Sequence, residues 1–153
     1  MSADRYIKPT AFDRIGNAII RRLVRLGVSV RGARELRVKG RTSGVVRTTI
    51  VNPLPFNGKR YLVAPRGTTE WVRNVRAAGG GELRLGRRVE GFRAVEVGDA
   101  DKVPILRAYL TAWAFEVGRF FEGITKNSPD ADLAQQTSGF PVFELRVTND
   151  SRR

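Results

Sequence analysis

Residues 39–48 read KGRTSGVVRT and gather Lys39, Arg41 and Arg47 with Thr42, Ser43 and the glycines Gly40 and Gly44 between two apolar runs. A hairpin turn needs one glycine and tolerates a charge or two, so this one holds more cation and hydroxyl than its geometry requires. Glycines let backbone N–H groups point outward, while guanidinium, ammonium and hydroxyl groups donate to the same oxygens, a combination suited to phosphate. The stretch is neither GxxxxGK[ST] nor GxGxxG. The alternative reading is a solvated basic turn. Further on, residues 64–86 read APRGTTEWVRNVRAAGGGELRLG. A strand is expected to end at Ala64, Pro65, Arg66 and Gly67, and a short helix then carries Trp71 and Asn74 three residues apart on one face. An aromatic and an amide placed there could wall a heterocycle; the alternative makes Trp71 a core anchor and Asn74 a cap. A third stretch, RAYLTAWAFEVGRFFEG at 107–123, offers Tyr109, Trp113, Phe115, Phe120 and Phe121. Tyr109 is a weak proton-donor candidate, since a tyrosine among so many aromatics is more often core.

What is missing narrows the chemistry further. The chain has no histidine and no cysteine, which removes disulfides, thiol nucleophiles, the usual zinc sites and histidine acid–base catalysis together. If the chain is an enzyme, the expected source of its hard chemistry is a bound cofactor. Lys and Arg number 28 against 15 Asp and Glu, a net charge of +13, which favours anionic partners. The 23 arginines against five lysines suit bidentate anion recognition but equally record a GC-rich genome. Nucleic acid is a disfavoured partner, because no RNP-like run or interleaving of aromatics with basic residues accompanies the charge. No apolar run reaches the ~20 residues of a membrane span, and the start MSADRYIKPT lacks a signal-peptide core. A cytoplasmic address is expected.

The elements that must position these residues follow from the periodicity. Residues 11–27, AFDRIGNAIIRRLVRLG, place Phe12, Ile15, Ile19, Leu23 and Leu26 at helical spacing, with Arg14, Arg21, Arg22 and Arg25 between them. This predicts an amphipathic basic helix ending near Gly27. It either packs on its own domain or meets an anionic membrane surface or an apolar substrate entrance. From residue 34 the period becomes two: RELRV with Leu36 and Val38 on one face, VVRTTIV at 45–51, RYLVA at 60–64, ELRL at 82–85, RVEGFRAVEV at 88–97 and VFELRV at 142–147. Asn57-Gly58 and Gly86-Arg87 mark hairpin turns. Helices are expected around 69–78 and 101–122. About six strands, mostly in antiparallel hairpins, with covering helices predict one α+β domain over 1–153, mainly antiparallel β, closed or nearly closed as a barrel.

The order of these parts resembles the deazaflavin (coenzyme F420)-dependent nitroreductase and quinone reductase family, most clearly over residues 34–97. The shared pattern is a basic GRxSGxxR turn, a hairpin, a strand ending in small residues and glycine, a short W-x-x-N helix and a second hairpin. The resemblance implies a split β-barrel of a family common in actinobacteria, and reduced F420 as hydride donor to a quinone, enone or nitro acceptor. It also implies that Lys39, Arg41, Thr42, Ser43 and Arg47 hold the cofactor's phosphate and acidic tail, that the backbone of Ala64, Pro65, Arg66 and Gly67 faces the ring, and that Trp71 and Asn74 border it. Many relatives have Ala-Ser-Lys-Gly where this chain has Ala64-Pro65-Arg66-Gly67, so Pro65 removes a hydroxyl and an N–H. The alternatives are FMN on the same barrel and a non-catalytic lipid or fatty-acid carrier. Expected partners are a small hydrophobic acceptor, a peripheral membrane contact through 11–27 and a second copy in a homodimer.

Overall fold

The computed structural model describes residues 5–28, 32–117 and 120–148; the side chains of residues 11, 12 and 114–117 lie outside that description, and with them those of Phe12 and Phe115. Seven strands form one antiparallel sheet: β1 Arg34–Lys39, β2 Val46–Val51, β3 Leu54–Phe56, β4 Lys59–Val63, β5 Gly80–Leu85, β6 Arg88–Glu96 and β7 Val142–Val147. They lie in the order β2-β1-β5-β6-β7-β4-β3. The sheet curls into a half-barrel, and the chain is an α+β split barrel. The strand beyond the expected six is β3, three residues long and carrying Pro55. It lies at the sheet's edge, where a proline removes no interior ladder bond. Asn57 (φ 55°) and Gly58 (φ 75°) make the turn into β4, in the positive-φ pair that a two-residue hairpin requires.

Period-two alternation sends side chains into two cores. Leu36, Val38, Leu62, Leu83, Phe92, Phe143 and Leu145 meet Val72 and Val75 of α2 (Glu70–Ala78) inside the curl. Tyr61, Val63 and Val142 face the other way, against Ile105, Leu106, Tyr109, Leu110 and Trp113 of α3 (Lys102–Val117) and Leu133 of α4 (Asp130–Ala134). β4 and β7 are thus covered on both faces. The expected long helix is interrupted by non-helical angles at Trp113 (φ −133°), and Phe121 stacks on Phe140 at 4.1 Å between ring centres.

The first helix, α1 (Ala11–Arg25), starts with a capping box in which Thr10 accepts from Asp13 N–H and Asp13 from Thr10 N–H. Val24 is fully buried, and its carbonyl accepts from Gly86 N–H at 2.7 Å. Of the apolar stripe, Ile15, Ile19 and Leu26 are 63%, 60% and 73% exposed, while Leu23 is half-buried. Arg21, placed on the polar face by its spacing, instead lies half-buried and donates to the Thr48 carbonyl. Arg25 holds Glu35 at 3.1 Å, and Glu35 is only 1% exposed, so this carboxylate of β1 is buried beneath α1. No described helix is long and apolar enough to cross a membrane.

Candidate functional site

A cleft of about 850 Å³ opens between β2, the end of β4, α2 and α1, a volume typical of small-molecule sites. Its outer end is the basic turn, contributing Gly40, Arg41, Thr42, Ser43 and Arg47. The turn is tight: Gly40 N–H donates to Val45 O, Gly44 N–H to Gly40 O, and Val45 N–H to Ser43 Oγ. Packing against it, Asn74 is 4% exposed and its Oδ1 accepts from both the backbone N–H (3.1 Å) and Nη1 (2.9 Å) of Arg41. This pins the amide, so its NH₂ is the group left to meet a ligand. Glu70, at the start of α2, takes Arg41 Nη1 at 2.8 Å. That hydrogen bond, and then the Arg41 charge, hold the Glu70 carboxyl below its ordinary range.

The middle of the cleft is Trp71, half-buried at 6.1 Å from the Phe143 ring, facing the corner where β4 ends. Most of that corner's backbone is engaged. Ala64 N–H donates to Pro141 O and Gly67 N–H to Ala64 O. Pro65 has no N–H, and its carbonyl accepts from Arg5 at 2.9 Å. Among the described residues this leaves Arg66 N–H as the corner's unpartnered backbone donor. The Arg66 side chain reaches Asp13 at 2.9 Å and the Ile7 carbonyl at 3.2 Å and lies over the Phe120 ring. The innermost surface is Val63, Tyr109 and Phe120.

Residues 5–10 and α1 form the remaining wall. Tyr6 bridges to Gly67, Thr68 N–H donates to Arg5 O at 2.7 Å, and Ile7 N–H to Arg66 O at 2.9 Å. A Cβ on Gly67 (φ +89°) would lie 1.8 Å from Arg5 O, so glycine there admits this strap. Burial lowers the Arg5 pKa, the Glu122 charge opposing it; its guanidinium donates to Phe120 O and Gly139 O and covers the Phe140 ring.

Of the residues singled out from sequence, Arg41, Thr42, Ser43, Arg47, Ala64, Pro65, Arg66, Trp71, Asn74 and Tyr109 line this one cleft. Lys39 and Gly67 lie outside its lining. Trp113 faces a second, more apolar groove with Leu54, Phe56 and Arg107. Sequence reasoning missed Tyr6, Asp13, Asn17, Ile20, Glu70 and the β2 side chains Thr48 to Val51. Asp13, three residues after Thr10, carried a capping signal; its pairing with Arg66, 53 residues away, carried none.

No protein-family model and no curated protein matches the chain. Solved structures do. An F420-H2 dependent reductase (FDR-A) is 19% identical with a TM-score of 0.53, covering 76% of this chain and 95% of that one. A chain solved as a domain-swapped dimer is 17% identical, TM-score 0.55, covering 90% and 100%. A protein of unknown function from Agrobacterium tumefaciens is 18% identical, TM-score 0.56, and this chain covers 57% of its length. The likeness is one of fold.

Proposed function

We propose that the chain is an F420-dependent oxidoreductase, passing a hydride from reduced deazaflavin to a quinone, enone or nitro acceptor. The observation that carries this reading is the convergence on one cleft of a cationic hydroxyl-rich turn, a buried amide, a tryptophan wall and an apolar inner end. The residues fit the group: Arg47, Thr42 and Ser43, with Arg41, suit its phosphate and acidic tail, while Asn74 NH₂ and Arg66 N–H are donors for ring carbonyls. Bound there, the deazaflavin would supply the hydride. The protein's own part is orientation: Trp71 fixes one wall, and Val63 and Phe120 keep the inner end dry for a hydrophobic acceptor. Tyr109, buried there, is the candidate proton donor, though solvent could serve. FMN suits the same phosphate seat and is the competing cofactor.

Three wider readings accompany this one. The exposed Ile15, Ile19 and Leu26 beside Arg14, Arg22 and Arg25 support a peripheral contact of a cytoplasmic protein with an anionic membrane, where quinones are met. A homodimer is the proposed assembly. The apolar inner end also suits a fatty acyl chain, which makes a non-catalytic lipid carrier the second functional reading. The deciding experiment adds the protein to reduced F420 with menadione and follows return of the oxidised deazaflavin band. Turnover above the protein-free rate supports the reductase. Tight fatty-acid binding without F420 or FMN binding would replace it with the carrier.

A further inference from the structure

We propose that Glu70 is a resident anion in the cleft's anion seat, displaced by the ligand and setting how much negative charge a ligand must bring. The inference rests on the anion-binding part of the function proposed above and names the residue that tunes it. Arg41 is the cation of the basic turn that is fixed in place, through its N–H and Nη1, by the buried Asn74. Yet Glu70 occupies its guanidinium at 2.8 Å. Glu70 is also the first residue of α2, where a negative charge is favoured by the helix dipole. The cap beside it is unused: Thr69 makes no side-chain capping bond, and its Oγ1 is buried without a partner while the residue lines the cleft. A guanidinium and a helix start thus meet at the one carboxylate of Glu70.

That carboxylate can leave. Its side chain is 72% exposed, and a solvent-exposed ion pair holds its partners weakly. A monoanion replacing Glu70 exchanges one charge contact for another and gains little. A ligand with several charges displaces it and also engages Arg47, which has no ion pair among the described residues. Glu70 thereby disfavours single carboxylates, fatty acids among them, relative to a phosphodiester with an acidic tail.

The test measures affinity for inorganic pyrophosphate and for F420 in wild type, Glu70→Gln, Arg41→Ala and the double variant. For pyrophosphate, Glu70→Gln should tighten binding about two- to fivefold, and the gain should vanish in the Arg41→Ala background, because the competition acts through that guanidinium. Equal pyrophosphate affinity in wild type and Glu70→Gln, or no binding to either, overturns the inference; a gain that persists without Arg41 does so too, reducing Glu70 to a general repulsion. Pyrophosphate behaving as expected while F420 fails to bind any variant would instead overturn the cofactor reading and leave the anion seat standing.

Discussion

The proposed function gives Arg41 two jobs that pull against each other. Arg41 locks Asn74 through two hydrogen bonds to the same oxygen, and on that reading it must still present charge to a ligand. Arg47 is fixed less, lies exposed at the start of β2 and can only attract. Replacing either by Ala should weaken F420 binding by about 1–3 kcal/mol, the range of a charge-assisted contact, and both losses should shrink at high salt. Only Arg41→Ala should also disturb the side-chain amide resonances of Asn74, which separates positioning from attraction. Trp71 and Trp113, the two tryptophans, offer a second check, since Trp71 lines the cleft and Trp113 the other groove. F420 should quench the emission that Trp71→Phe removes, and a quench surviving that substitution would take Trp71 out of the cofactor's wall. These residues were legible because their chemistry is local: a glycine-rich cationic turn, and an i,i+3 pair on one helix face. Glu70 and Asp13 were not, because each acquires its role from a guanidinium on a distant segment.

At the scale of elements, the strands were legible from period-two alternation and positive-φ turns, whereas the disposition of α1 was not. A hydrophobic stripe says that one face avoids water, not which neighbour covers it, and here Val24 and Ile20 turn inward while Ile15, Ile19 and Leu26 face out. Arg25→Ala should destabilise the fold by about 1–2 kcal/mol, less than for a fully buried pair because Arg25 is half-exposed, since it strands the buried Glu35; thermal melts measure it. Arg14 and Arg22 lie by the outward stripe, and on the proposed membrane reading each should contribute up to ~1 kcal/mol of attraction to anionic lipid. Co-sedimentation should find the protein with anionic vesicles at low salt and released from them at high salt, with Ile15→Ser/Ile19→Ser weakening the pelleting. A protein that stays in the supernatant with anionic and neutral vesicles alike would leave the stripe to a second copy of the chain.

Across the whole molecule, the charge that composition reports as +13 is placed unevenly. Glu35, Glu90, Asp13 and Asp130 are each held by an arginine, so these acids and their arginines are spent on one another. Arg47 at the cleft's mouth has no such partner among the described residues. Composition supplied the sign of the field; only the fold reveals that the cleft opens beside that cation. On the proposed reading, a polyanionic cofactor approaching the mouth would be attracted well before contact, while its dissociation would be governed by short contacts with Arg41, Asn74 and the turn hydroxyls. Long-range attraction is screened over ~10 Å at 0.1 M salt, whereas contacts inside a partly closed cleft are screened much less. Stopped-flow measurement of F420 binding across a salt series should therefore find the association rate falling steeply and the dissociation rate nearly constant. Arg47→Ala should flatten the salt dependence of association, and Asn74→Ala should speed dissociation with association unchanged. Dissociation carrying the salt dependence in place of association would move the decisive charges from the cleft's mouth to its interior.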